Sequence, residues 1–300
     1  MKKILLYTLL NLVIVYPSSA QDEVHVVTKS IEKDLDYSSG EQLEIRAEKA
    51  SIKVETWSKG YISLEIKLIS KHKRKEVATS ELELLKYEIS KTNGKHLVTN
   101  YFEADDKFVR VKGNLQAAFN LKLPPGCDIL IVNHYGKLSV TNLKSDMDAT
   151  LKFVDCQVFN GTGSLTIESS FGNIFLNGYG GRLRAKLERS KLELTGFDGV
   201  ADLNTRYGEV DIDGGSFKKL EINGVRTQIS FTTFNLESYN YDVKTTFSAI
   251  RVPERIVSYL SLSNEYQEFL KNFNDDNPKI KLHTTYGSIN LKQTFSASTK

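Results

Sequence analysis

The sequence predicts an all-β protein: a β-solenoid, a single-chain β-helix of about 18-residue coils, behind a β-rich N-terminal cap containing one short helix. Three observations predict it. Tyr135, Phe153, Phe171, Arg189 and Tyr207 recur at a spacing of 18, and only Arg189 is not aromatic. Apolar pairs two residues apart, the period of a strand, flank each of these anchors in one register. At outward positions, neighbouring coils carry charges of opposite sign.

The chain opens with Lys2 and Lys3, an apolar run from Ile4 to Tyr16 broken only by Thr8 and Asn11, and the small residues Ser18, Ser19 and Ala20. That pattern reads as a signal peptide over residues 1–20, cleaved between Ala20 and Gln21. The 13-residue run is shorter than the roughly 20 residues that span a bilayer as a helix. No later stretch is as apolar, so the mature chain is expected to have no transmembrane segment. No Cys follows the cleavage site, which argues against a lipid anchor. The expected destination is the periplasm or the cell surface.

Residues 21–124 read as the cap. Segments 43–45, 52–57 and 61–69 alternate apolar and polar, residues 75 to about 85 have helical character, and 97–102 and 115–123 return to strand character. Pro124-Pro125-Gly126 marks the boundary.

The solenoid occupies 125–292. Three and five residues after the anchors stand Leu138 and Val140, Cys156 and Val158, Ile174 and Leu176, Leu192 and Leu194, and Val210 and Ile212. Six and four before them stand Ile129 and Ile131, Met147 and Ala149, Leu165 and Ile167, Leu183 and Ala185, and Ala201 and Leu203. Looser turns follow at Arg226, Phe247 and Tyr286, at spacings of 19, 21 and 39. Seven residues past the first five anchors come Asn142, Asn160, Gly178, Gly196 and Gly214, the residue types that take left-handed backbone angles at low cost, so this column is a predicted corner. One such unit cannot bury its apolar face alone; stacked copies make a continuous core. In that stack Lys137 would face Asp155, Glu168 would face Lys186, Arg184 would face Asp202 and Lys191 would face Glu209. Leu130 and Val132 of the first coil point outward and are expected to be covered by residues 21–120. Residues 253–278 read as an inserted, partly helical excursion, and 293–300 as a tail.

Cleavage would remove two of the 40 basic residues and none of the 37 acids, leaving a net charge near +1. Such a balance supplies no field for nucleic acid, and none is expected as a partner. Cys127 and Cys156 are the only cysteines, and one bridge would not make a disulfide scaffold. Whether they pair is left open by the spacing.

Val54-Glu-Thr-Trp57, then Tyr61-Ile-Ser-Leu-Glu-Ile, and the repeated Tyr/Phe-Gly units before short strands carry a resemblance. Over residues 41–292 the chain resembles the bacterial envelope proteins grouped as putative adhesins, solenoid proteins of largely unassigned function. The resemblance implies residence in a bacterial cell envelope and transfers no catalytic residue.

The search for chemistry is mostly negative. His25, His72, His96, His134 and His283 are scattered without metal-ligand spacing, and no nucleophile elbow or phosphate loop occurs. No cofactor is expected. Glu209, Asp211 and Asp213 lie two apart on one strand and share a face, as a calcium site or glycosidase pair would require; a solvated face beside Lys191 is the simpler reading. Phe159, Phe175, Tyr179 and Phe197 are expected on or near the outer side of neighbouring coils, as a strip for sugar or a partner strand, or as packing under the excursion. The leading functional reading is a non-enzymatic exported module that binds or scaffolds an envelope protein or glycan. A periplasmic envelope-stress or regulatory component, and a polysaccharide-degrading solenoid enzyme, are the alternatives.

Overall fold

The computed structural model describes residues 24–103 and 110–294; the signal peptide read at 1–20 and residues 295–300 of the tail lie outside the described residues. The N-terminal part contains β1 (His25–Asp36), β2 (Gln42–Thr56), β3 (Tyr61–His72), α1 (Lys75–Leu82), β4 (Leu85–Thr92), β5 (Lys95–Phe102) and β6 (Asn114–Leu123). The regular coils are β7 (Asp128–Thr141), β8 (Met147–Ser170), β9 (Asn173–Glu188), β10 (Lys191–Arg206), β11 (Glu209–Val225) and β12 (Gln228–Thr233). Beyond them lie β13 (Asn240–Thr246), β14 (Ile250–Arg251), β15 (Leu260–Leu262), β16 (Tyr266–Lys271), β17 (Lys279–Thr285) and β18 (Ile289–Gln293).

The coils pair in parallel at the register the repeat requires. Three residues past each anchor, Leu138, Cys156, Ile174, Leu192 and Val210 face one another on successive layers. Leu165, Leu183 and Ala201 do the same before the anchor. All are buried, so the interior is one elongated apolar column. Each large aliphatic side chain in it contributes about 1.5–3 kcal/mol relative to exposure. The four opposite-charge pairs expected across coils, Lys137 with Asp155, Glu168 with Lys186, Arg184 with Asp202 and Lys191 with Glu209, are register partners.

The stack starts earlier than the 18-residue spacing shows. β2 pairs in parallel with β7, placing Leu43 and Ile45 beside Ile129 and Ile131, and Ile52 and Val54 beside Leu138 and Val140. Lys49 falls level with Tyr135 and takes the same left-handed angle. β2 is therefore a layer of the same kind, separated from the next by the rest of the cap. Its free edge is closed by β5 on one side and β6 on the other, with β4 antiparallel to β5, β3 to β6 and β1 to β3. The cap thus ends the stack by strand pairing and does not fold over the outer face of β7: Leu130 and Val132 stay half-buried, between Glu44 and Arg46 on β2 and Asp148 and Thr150 on β8.

At the other end the spatial order departs from the chain order. β17 lies between β11 and β13, and β18 lies between β12 and β14. The last coil in the sequence is the second-to-last layer in space. The excursion makes this possible: residues 254–259 form a 3-10 turn, and β15 and β16 fold back as an antiparallel hairpin that pairs with β13 and ends the stack. Its Phe269 is fully buried against Tyr241.

Across this junction Glu221 of β11 accepts from Lys281 of β17 at 2.8 Å and pairs with Lys219 at 3.2 Å. The two ammonium groups, Lys281 first, hold its carboxyl down at about 2, below the ordinary 4.5. A depressed folded-state pKa contributes stability that is complete above the ordinary value and is lost as pH falls through the lowered one. Thermal midpoints are expected to drop as the pH falls from about 4.5 towards about 2, and Glu221→Gln should flatten part of that drop. A variant whose midpoint falls as steeply as the wild type's would rule out this contribution.

Candidate functional site

The anchors stand at a corner. The inward residues before them occupy even offsets and those after them odd offsets, so the side-chain alternation changes phase there. A left-handed residue makes that phase change: Lys49, Tyr135, Phe153, Phe171, Arg189, Tyr207, Arg226, Phe247 and Tyr286 all have φ between 49° and 62°. A left-handed non-glycine residue costs about 1–2 kcal/mol, whereas Asn or Gly takes the angle far more cheaply. The predicted second corner is built that second way, with Asn142, Asn160, Gly178, Gly196 and Gly214 all at positive φ. Backbone geometry therefore does not explain why the first corner carries aromatic and arginine side chains.

Those side chains form a continuous exposed ladder. Tyr135 stacks on Phe153 with centroids 5.0 Å apart, and Phe153 on Phe171 at 4.8 Å. The Arg189 guanidinium lies 5.4 Å from the Phe171 ring and 5.6 Å from that of Tyr207. Arg226 sits likewise between Tyr207 and Tyr286, at 5.5 and 5.6 Å. Tyr286 then stacks on Phe247 at 4.9 Å. At one strand spacing per step, the ladder from Tyr135 to Phe247 is about 34 Å long. Its rings are 40–54% exposed. Each stacked pair returns about 0.5–1.5 kcal/mol, comparable to the backbone cost, so the ladder is close to neutral for stability. Lys49 turns instead to Phe102, 5.4 Å from its ring, and the ladder stops at Tyr135.

Sequence reasoning used these residues to align the repeat and overlooked them as a surface. The phase change across each anchor was the signal that could have found them.

The residues expected on the outer side divide. Phe159 and Phe175 are half-buried on the outer face, their centroids 5.5 Å apart. Tyr179 and Phe197 are not on the surface: they are 1% and 0% exposed and stack at 6.4 Å inside the column, followed by Phe217. The correction has one cause. Both lie just past Gly178 and Gly196, whose left-handed angles invert the alternation a second time and turn the next side chain inward. Gly161 leaves room for the Tyr179 ring, since a Cβ there would come within 2.6 Å of it.

Lys191 offsets part of the acid cluster's charge from within. Lys191 reaches Glu193 at 2.9 Å, Asp211 at 3.1 Å and Glu209 at 3.9 Å, and its hydrogen bonds to Glu193 and Asp211 raise its pKa. Asp213, two residues on, is exposed. Among the described residues, no group of three or more His, Cys, Asp or Glu is placed to hold a metal ion. Cys127 and Cys156 are free and buried, and burial pushes both thiols up to about 12.

No family model matches the chain, and no curated protein does. The chain is similar to a solved putative adhesin from Bacteroides fragilis, at 13% identity over 89% of this chain and 97% of that one, with a TM-score of 0.46. It is also similar to a putative cell adhesion protein from Clostridium sporogenes, at 11% identity over 89% and 100% of the two chains, TM-score 0.30. A third is a putative lipid binding protein from Parabacteroides distasonis, at 12% identity over 87% and 96%, TM-score 0.41.

Two grooves remain. One of about 750 Å³ runs beside the C-terminal half of the ladder and is lined by Lys186, Glu188, Arg206, Tyr266 and Thr285 among others. The other, about 800 Å³, lies where β1, β3 and β6 meet the outer face of β2. It holds Trp57, whose ring is covered by Lys59 at 4.8 Å and Lys122 at 5.6 Å and whose Nε1 donates to the Tyr61 carbonyl.

Proposed function

We propose that the protein is a non-catalytic exported module of the bacterial cell envelope that binds or scaffolds through its solenoid surface. The observation that supports this most is the ladder from Tyr135 to Phe247: exposed, unbroken, and held at a backbone angle that Asn or Gly would take at lower cost. A rigid stack of layers holds such a row at fixed spacing without any moving part. The N-terminal sequence pattern supports export, and protease accessibility on intact cells separates the periplasm from the outer surface.

The test is retention of purified protein on isolated envelope material. Tyr207→Asn, Tyr286→Asn and Phe247→Asn together remove half of the aromatic ladder and keep a residue suited to the left-handed angle. Saturable retention of the wild type, with most of it lost in the folded triple variant, is expected. Equal retention of the two proteins, or turnover of a polysaccharide by the wild type, would overturn the proposal.

A further inference from the structure

We infer that the C-terminal half of the ladder, from Arg189 to Tyr286, binds a linear acidic polysaccharide laid along the solenoid axis; this rests on the binding-module reading and gives it a ligand class. Here the ring faces are covered, those of Tyr207 by the Arg189 and Arg226 guanidiniums and those of Tyr286 by Arg226 and Phe247, which leaves ring edges outward, and the edge is the positive end of the aromatic quadrupole. Between those edges lie the N–H donors of Arg189 and Arg226 and the hydroxyls of Tyr207 and Tyr286. Such a stripe favours anions. It offers no free ring face on which a nucleic-acid base can stack.

Arg206 stands on the layer of Tyr207, between those of Arg189 and Arg226. Among the described residues no ion pair engages Arg189, Arg206, Arg226 or Lys186. The other charged groups around the groove are already paired, Lys244 with Asp242 and Glu268, and His283 with Asp242. Glu188, level with Arg206, is the one acid in the groove lining and makes no ion pair with it. The surplus in the groove is positive, whereas the chain as a whole is near balance.

Arg189 and Arg226 lie two layers apart, about 9.6 Å. An extended pyranose is close to one layer long, so a polymer with a carboxylate on every second sugar presents its charges at that interval, each suited to a two-pronged guanidinium contact. A single small anion reaches one arginine only.

The test uses hyaluronan, in which uronate alternates with a neutral sugar, alongside dextran and a thymidine oligonucleotide, each against the purified protein by interferometry. The wild type should bind hyaluronan with salt-sensitive affinity and leave dextran unbound. Arg189→Gln, Arg206→Gln and Arg226→Gln together should weaken it about a hundredfold, a loss of two strong contacts. Lys29→Gln, Lys75→Gln and Lys112→Gln, the same charge change on the N-terminal part, should weaken it less than about threefold, the scale of a screened long-range effect. All variants alter exposed side chains, and circular dichroism confirms their fold. No hyaluronan binding, equal loss in both triple variants, or equally tight binding of the oligonucleotide would overturn the inference. If envelope retention persists while hyaluronan fails, the ligand class is wrong and the module reading stands.

Discussion

Gly287→Ala should cost about 3–5 kcal/mol, at the upper end of single-substitution effects, and should loosen the last layers first. The residue follows the anchor Tyr286, and a Cβ there would lie 1.8 Å from the Thr227 carbonyl oxygen and 2.6 Å from its carbon. Both are backbone atoms of the adjacent layer, so no side chain can rotate away. The same relation recurs at Gly136 over Ala50, Gly172 over Val154 and Gly208 over Ser190, where the Cβ would come within 1.9, 2.0 and 2.3 Å of a carbonyl oxygen. Glycine and a larger residue alternate up this column: Ala50, Gly136, Val154, Gly172, Ser190, Gly208, Thr227, Gly287, Ser248. The alternation holds only in spatial order. In chain order Ser248 would follow Thr227 and the rule would break, so the glycine pattern independently supports the intercalated position of the last coil. Gly60→Ala is the control: nothing lies within 4 Å of its Cβ, and such surface changes stay within about 0.5 kcal/mol. Denaturant melts of the two variants check the contrast; equal stabilities would mean that the layers are not held as closely as described.

How much of this was legible in the sequence depended on whether a feature repeated. The coils from Ile129 to Ile212 were legible because five copies overlay, and the Asn/Gly corner because its residue types have one conformational use. The layer of β2 was not, since its anchor is Lys49 and the intervening cap removes the 18-residue spacing. β1 was hidden for another reason. Its core-facing Val27, Ile31 and Leu35 are four apart, a spacing that fits one face of a helix as well as every second inward position of a strand. Tyr179 and Phe197 were misplaced because alternation was carried across a left-handed residue. The order of the last layers is a fact of pairing: the sequence around Tyr286 carries the coil pattern but nothing in it names its neighbours.

Ending the chain after Asn277 should detach the layer at 240–252 as well as remove the last coil. In a solenoid whose layers follow chain order, losing the final coil exposes one edge and leaves the rest intact. Here β17 and β18 join β11 and β12 to β13 and β14, and among the described residues the last layer has no other parallel partner. Without them the apolar side chains of β11 and β12, Leu220, Ile222, Ile229 and Phe231, face an empty layer, and so do Tyr241, Val243 and Ile250. One resolution is for residues 240–252 to move down and pair with β11 and β12, but the glycine column opposes it: Ser248 would occupy the place of Gly287, against the Thr227 carbonyl. The last layer and its hairpin should therefore exchange amide hydrogens at near-unfolded rates and be cut by protease between residues 234 and 277, while protection of the coils from Ile129 to Leu203 is retained. Slow exchange at Tyr241 and Val243 in the truncated protein would show that the layer can seat itself on β11, and the intercalated coil would then be dispensable to the architecture.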